Sequence, residues 1–454
     1  MLRRDQAVTR AEAGCGLLVL LALMAGCRHS PDSLSPDERE ALSKLAPPAL
    51  PAPPGDSSNR WADNPPAARL GQLLFMDPLF SGALLEGDND GGPHTLGVKG
   101  QTGKVSCAGC HVPSAGFLDN RSINGQISLA SGWNLRRTLS LLDVGQEKLL
   151  MWDGRRDALY NQPFGPIENP TEMNSSRLFV AEQIAARYSG AYQEVFGPLP
   201  DLSRLPPLDA SRTGCDRLPT NSGTPICHGI PGDGAEYDSL SAADQEAVTR
   251  VVVNMGKALG AYERLLSCGQ GRFDRWVNGD GSALSQAEQR GAALFVGKAQ
   301  CATCHSGPFL TDQKFHNVGL RPGTVAVAFI DIGDRGALIG LQQALADPLN
   351  VRGRFSDGDD GRLIAPSPRD DGAFRTPPLR CVGRRPSFMH TGQFTTLAEV
   401  VAFFDRGGSV GGYPGTNELS PLGLTDGERA DLVAFLGTLE GPGPSAELLA
   451  PPVP

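Results

Sequence analysis

The 454-residue chain is short of aromatic residues (6%) and of histidine (7 in all), and its 41 basic residues are outnumbered by 50 acidic ones, giving a formal net charge of −9. No basic face interleaved with aromatics is available, so nucleic acid is excluded as the expected partner. A charged macromolecular partner is expected to be basic. Long hydrophobic runs are missing as well: no stretch approaches the roughly 18 apolar residues that span a bilayer. Glycine (56) and proline (37) make up about a fifth of the chain without a collagen period, so short elements joined by much ordered loop are expected. With 40% hydrophobic residues a real core can form, and at roughly 150 residues per domain the length suggests two to three domains.

At the N-terminus, Arg3, Arg4 and Arg10 precede the apolar run Gly16–Gly26. The run is too short to span and reads as the core of a secretory signal over residues 1–26. Met24-Ala25-Gly26-Cys27 resembles a bacterial lipobox, which would make Cys27 a lipidation site and the only link to a membrane; the alternative is an ordinary signal cleaved near Cys27. The body of the chain is therefore expected to be exported, periplasmic and tethered. Ten cysteines in such a chain are disulfides, cofactor attachments or processed ends.

Four of them fall in two identical spacings, Cys107-Ala108-Gly109-Cys110-His111 and Cys301-Ala302-Thr303-Cys304-His305. Each is the c-type haem attachment pattern, in which two thiols add to the haem vinyls and the adjacent histidine ligates the iron. At this composition the expected number of accidental copies is under about 0.01. Two covalent haems are expected, with His111 and His305 as iron ligands. The flanks repeat too: Gly71-Gln72-Leu73-Leu74-Phe75 and Gly291-Ala292-Ala293-Leu294-Phe295 each sit on a helical pattern leading to a motif, the second opened by the capping box Ser285 to Glu288. Thr425 to Glu428 caps a further helix over 430–439.

Between the motifs lie 190 residues, more than one haem unit needs. A Pro/Gly-rich insertion at 198–240 carries Cys215 and Cys227, which are expected to staple it; His228 gives only a weak hint of a third haem. Cys268 and Cys381 form a second candidate bridge. The expected organisation is a linker at 27–60, haem domains at 61–197 and 241–440, the insertion between them, and a flexible tail at 441–454.

With both haems placed, the chain resembles the bacterial di-haem cytochrome c peroxidase family, including its MauG-type methylamine-utilisation branch. The resemblance rests on Trp152-Asp153-Gly154-Arg155, Gly165-Pro166, Asn169-Pro170-Thr171-Glu172-Met173, Phe315-His316-Asn317, Thr376-Pro377-Pro378-Leu379-Arg380 and Met389-His390-Thr391-Gly392, in order around the two motifs. It implies a mainly α fold of two cytochrome-c-like domains, an N-terminal haem that meets hydrogen peroxide and a C-terminal haem that stores electrons from a cytochrome c or a copper protein. Glu172 matches the catalytic glutamate, Gln162 the glutamine that orients peroxide, and Trp152 the tryptophan between the haems. A carboxylate suits the task of moving a proton between the two peroxide oxygens. The competing reading of Glu172 is a helix cap, with Asn169 as N-cap and Pro170 as first helical residue.

Departures from the family pattern carry their own expectations. No histidine lies between His111 and His228, so the N-terminal haem is expected to be open at rest unless His94, in the Gly-rich insertion 87–103, closes it. The position of the second axial ligand of the C-terminal haem holds Phe404, which cannot ligate iron; Met389, His390 and His316 are the nearby alternatives. Calcium between the domains is implied by the resemblance, but Arg137 and Arg385-Pro386-Ser387 replace its ligands, with Asn134 close by. Two rival functions stay open: MauG-type oxidation of a protein or organic substrate, and plain electron transfer by a dihaem cytochrome.

Overall fold

The computed structural model describes residues 34–121, 128–205, 237–238, 240–321 and 333–452. Cys27, Cys215, Cys227 and His228 lie outside them. The fold is mainly α, as expected: the described residues hold a single two-stranded antiparallel ladder, β1 (Phe315–His316) with β2 (Phe374–Arg375). No helix among them is long and apolar enough to cross a membrane.

Two helix pairs organise the molecule, and the sequence repeat explains both. In the N-terminal unit α2 (Pro65–Met76) starts where the Asn64 side chain accepts from the Ala67 amide and two prolines fill the first turn. It crosses α7 (Ala242–Glu263) so closely that a Cβ on Gly71 would lie 1.9 Å from the Ala258 carbonyl oxygen. In the C-terminal unit α9 (Gln286–Val296) opens with the expected Ser285–Glu288 box and crosses α12 (Asp426–Leu436), where a Cβ on Gly291 would lie 2.0 Å from the Asp431 oxygen. The repeated glycine is thus the contact point of each crossing. The repeated phenylalanine is the plug: Phe75 and Phe295 are each 1% exposed, Phe75 against Tyr262 and Phe295 against Phe435.

Between them in sequence, α3 is the single turn Cys107–Cys110; α4 (Phe164–Glu168), α5 (Arg177–Arg187) and α6 (Ser189–Phe196) complete the N-terminal unit. The short α8 (Arg272–Val277) and α11 (Leu397–Asp405) belong with the C-terminal core. The packing does not divide at residue 240 as the sequence suggested. Helix α7 and the segment from α10 (Ala337–Ala346) to Leu363 both bury side chains in the N-terminal core, because the N-terminal haem turn needs α7 as the second wall behind α2.

The chain ends are exchanged between the units. Helix α1 (Pro36–Leu45) buries Leu42 and Leu45 in the C-terminal core, and Arg380 donates to the Leu45 carbonyl at 3.2 Å. Conversely, the Gln72 amide donates to the carbonyls of Glu447 (2.6 Å) and Ala450 (2.7 Å), and the Tyr262 hydroxyl to that of Leu448 (2.6 Å). The expected linker and flexible tail are, where described, docked straps. Cys268 and Cys381 form the second expected disulfide, 113 residues apart in sequence, joining the end of α7 to the loop that leads into the C-terminal site.

Candidate functional site

The N-terminal motif forms its turn because the Ser106 hydroxyl accepts from the Gly109 amide at 3.0 Å, capping a helix only four residues long. The C-terminal motif makes a 3-10 turn, Cys301–Thr303, entered through Gln300 at a left-handed φ of 53°. All four motif cysteines are free thiols, whereas Cys268 and Cys381 are paired. His111 places Nδ1 3.3 Å from the Phe117 carbonyl oxygen, and His305 places Nδ1 2.9 Å from that of Leu310. A carbonyl can only accept, so the proton sits on Nδ1 and Nε2 is left for a metal. Burial lowers both imidazoles, His305 to about 4, keeping them neutral as ligands must be. The cysteines and histidines of both motifs are part-buried. Reduced thiols and oriented neutral imidazoles together fit covalently bound haem at both places.

Glu172 lines the N-terminal space, where its charge acts on both Cys107 and Cys110. Burial raises its carboxyl, while Arg155, the Asn169 side chain and Arg156 pull it back. The helix-cap reading fails here. Asn169 ends α4 rather than starting a helix, residues 170–173 form turns, and the Asn169 side-chain amide donates to Glu172 Oε1 at 2.8 Å. Asn169 thus fixes Oε1 and leaves Oε2 unbonded among the described residues. Arg156 is held by Asp347 at 3.0 Å, and its buried Nε has no partner. Gln162 does not touch Glu172; its amide donates to the Met151 sulfur at 3.6 Å.

Trp152 sits between the units. Its indole N–H donates to the Arg137 carbonyl at 2.7 Å, and its ring meets His390 edge-on at 6.4 Å. His390 stacks on Phe374, with ring centroids 3.6 Å apart, and burial lowers its imidazole to about 3 despite Asp334 nearby. Arg136 clasps the two halves through Asp334 (2.6 and 2.8 Å) and Asp153 (2.6 Å).

The reserve ligands are engaged elsewhere. His316 is held between Glu418 (2.7 Å) and Asp312 (2.9 Å), so both ring nitrogens are engaged by carboxylates. His94 is exposed, with its ring against the Arg121 carbonyl. Met389 occupies a left-handed turn (φ 67°) closed by the Gly392 amide. Phe404 lies on α11 edge-on to Phe403. Asn134 accepts from the Thr171 hydroxyl at 3.2 Å, while Arg137 is buried with a guanidinium bond to the Asp119 carbonyl. Among the described residues no three His, Cys, Asp or Glu side chains converge as a metal site. Sequence reading missed the long-range partners Asp334, Asp347, Glu147 and Glu263, which no motif or spacing marks.

Two attachment turns, each preceded by a glycine-mediated helix crossing, define a mainly α di-haem c-type protein. Known proteins narrow this further. The profile of the family described as di-haem cytochrome c peroxidase matches residues 65–214. The cytochrome-c peroxidase IdrP1 of Denitromonas iodatirespirans is 30% identical over 404 residues, 87% of this chain and 86% of that protein. The methylamine utilization protein MauG of Methylorubrum extorquens is 29% identical over 381 residues, 83% of this chain and 78% of that one. The fold is shared with the diheme peroxidase BthA of Burkholderia thailandensis, with a TM-score of 0.57 at 22% identity over 84% of this chain and 87% of that one. The chain belongs to the di-haem cytochrome c peroxidase family. It is an oxidoreductase carrying two c-type haems.

Proposed function

We propose that this protein is an exported peroxidase that reduces hydrogen peroxide to two waters, taking two electrons from a small redox protein, cytochrome c or cupredoxin, and two protons from solvent. In this reading residues 61–197 supply the peroxide site and residues within 241–440 the electron store, with α7 shared. The observation that carries it is the buried Glu172 carboxyl beside the N-terminal attachment turn, freed from any capping role. A haem held by Cys107, Cys110 and His111 would supply the iron and the electrons for peroxide reduction. Glu172 Oε2 would take one proton of peroxide and deliver it to the other oxygen, so that water leaves instead of hydroxide. Asn169 keeps the carboxyl from rotating, Arg155 and Arg156 favour its charged form, and Gln162 orients the peroxide. Trp152 stands on the path between the two haems.

Glu172→Gln keeps shape and hydrogen bonding, so an acid-base role predicts a loss of about 10²-fold to 10⁴-fold in peroxide turnover with both haems retained. Wild-type turnover in this variant would refute the assignment and favour the electron-carrier reading. The MauG-type oxidation of a protein or organic substrate is supported by the similarity to MauG and by the absence of any histidine between His111 and His228 in the sequence. Stopped-flow mixing of the fully ferric protein with peroxide tests the open site: reaction without prior reduction is expected, and a requirement for one added electron would contradict it.

A further inference from the structure

The stretch that carries Trp152 holds a neighbouring side chain that the proposed mechanism does not use. Met151 has a φ of 68°, a left-handed backbone that a methionine seldom adopts and that its surroundings must maintain. Those surroundings come from the C-terminal unit. Arg375, on β2 and 3% exposed, donates from Nε to the Met151 carbonyl (3.2 Å) and from its amide to the Trp152 carbonyl (2.8 Å). Its Nη1 lies 2.8 Å from Glu147 Oε1, so one guanidinium gathers residues 147 and 151. Gln313 grips the same stretch: its Oε1 accepts from the Lys148 amide (3.0 Å), and its Nε2 donates to the Gln146 carbonyl (2.8 Å). The Met151 side chain, in contrast, belongs to the N-terminal unit. It packs with Val144, Leu150 and Leu159, and its sulfur accepts from Gln162 Nε2 at 3.6 Å. That is the one hydrogen bond the Gln162 side chain makes among the described residues, so nothing else among them fixes its amide.

We infer that Met151 is a positioning residue of the peroxide site, its thioether holding the Gln162 amide while Arg375 of the C-terminal unit holds Met151. A free glutamine side chain samples many rotamers, and one that must orient a small ligand gains from being held beforehand. With Nε2 on the sulfur, Oε1 is left to accept from a peroxide O–H. A thioether has no proton to give and is only a weak acceptor, so it steadies the amide without entering the proton transfer. One side of the peroxide site is then set from the other haem unit. The role of Gln162 here rests on the proposed peroxide reading, whereas the place of Met151 rests on its own contacts.

The test is a set of holoprotein variants, Met151→Leu, Met151→Gln, Gln162→Ala and the double variant Met151→Leu with Gln162→Ala, each mixed in the ferric state with peroxide by stopped flow. Leucine is close to methionine in volume and is tolerated in such packing. It should lower the second-order rate constant about threefold to tenfold, the loss of one weak hydrogen bond, and leave turnover at saturating peroxide within about twofold. Glutamine at 151 offers an amide oxygen in place of the sulfur and should recover most of that loss. In the Gln162→Ala background the leucine substitution should add less than about twofold, because the two residues act as one unit. A wild-type rate constant in Met151→Leu, with Gln162→Ala impaired, overturns the positioning role alone. Equal losses with leucine and glutamine, or additive losses in the double variant, make Met151 a packing residue and overturn it as well. An unimpaired Gln162→Ala variant would instead remove Gln162 from the peroxide site and take the inference with it.

Discussion

The two haem units share a frame and differ in what the loops bring to it. Both set a glycine at a helix crossing, a buried phenylalanine behind the attachment turn, and a histidine whose Nδ1 is bound by a carbonyl five or six residues on. The N-terminal unit places two acids, Glu172 and Glu263, whose charges act on Cys107, while the C-terminal unit carries Phe404 where the family resemblance puts a ligand. In the proposed reading, helix packing sets where each haem goes and the loop residues set what it does.

The sharpest break of that comparison is at Glu172, and it extends to pH. Because burial raises this carboxyl above its ordinary value, the charged form that accepts the first proton is lost at a higher pH than for an exposed glutamate. Wild-type peroxide turnover should therefore fall on an acid limb lying above pH 4.5, and the limb should vanish from the small residual rate of Glu172→Gln. A variant that keeps the limb would move the titrating group elsewhere.

Glu263 gives the next largest effect. It is 5% exposed, its carboxylate accepts no hydrogen bond among the described residues, and burial pushes it from 4.5 up to about 8. A carboxyl raised on folding contributes its stability below the unfolded value of 4.5 and loses it as pH climbs through about 8. Glu263→Gln should thus match wild type in denaturant unfolding at pH 4 and exceed it at pH 9, on the order of a few kcal/mol. Parallel stability curves for the two proteins would show that the carboxyl finds a partner in the holoprotein.

The shared frame predicts equality where the sites predict difference. Gly71→Ala and Gly291→Ala each drive a methyl into a carbonyl oxygen, at 1.9 and 2.0 Å, so each should cost about 1–3 kcal/mol or more by forcing the helices apart. Thermal melts of both holoproteins check this. A loss confined to one of them would mean that the crossings are not equivalent.

Much of this frame was legible in the sequence because it is local: the attachment turns, the Ser285 and Thr425 boxes and the paired Gly–Phe segments are all set by neighbours within a few residues. Glu172 was legible as a candidate, but its capping alternative could be removed only once Asn169 was seen to close α4. The place of α7, the docking of the terminal segments and the carboxylate partners of His316 were hidden for one reason. Each depends on partners far along the chain, Ala258 opposite Gly71, Glu447 against Gln72, and Glu418 at His316, and no periodicity reports such pairs.

Phe404 should yield the smallest change in rate and the clearest change in spectrum. It lies on α11, whose face toward the C-terminal core buries Val401 and Phe403, and it matches the position where the family resemblance puts a methionine or tyrosine ligand. Phenylalanine offers the iron nothing, and His316 is bonded to two carboxylates. Phe404→Met trades one apolar side chain for another and should cost on the order of 1 kcal/mol. It adds a thioether that can ligate haem iron and raise its potential. The ferric spectrum of the C-terminal haem should then shift to that of a methionine-ligated low-spin centre, while the N-terminal haem and its reaction with peroxide stay unchanged. An unaltered C-terminal spectrum would show that some other group already holds that coordination site, and the asymmetry between the two units would then not lie in a missing ligand.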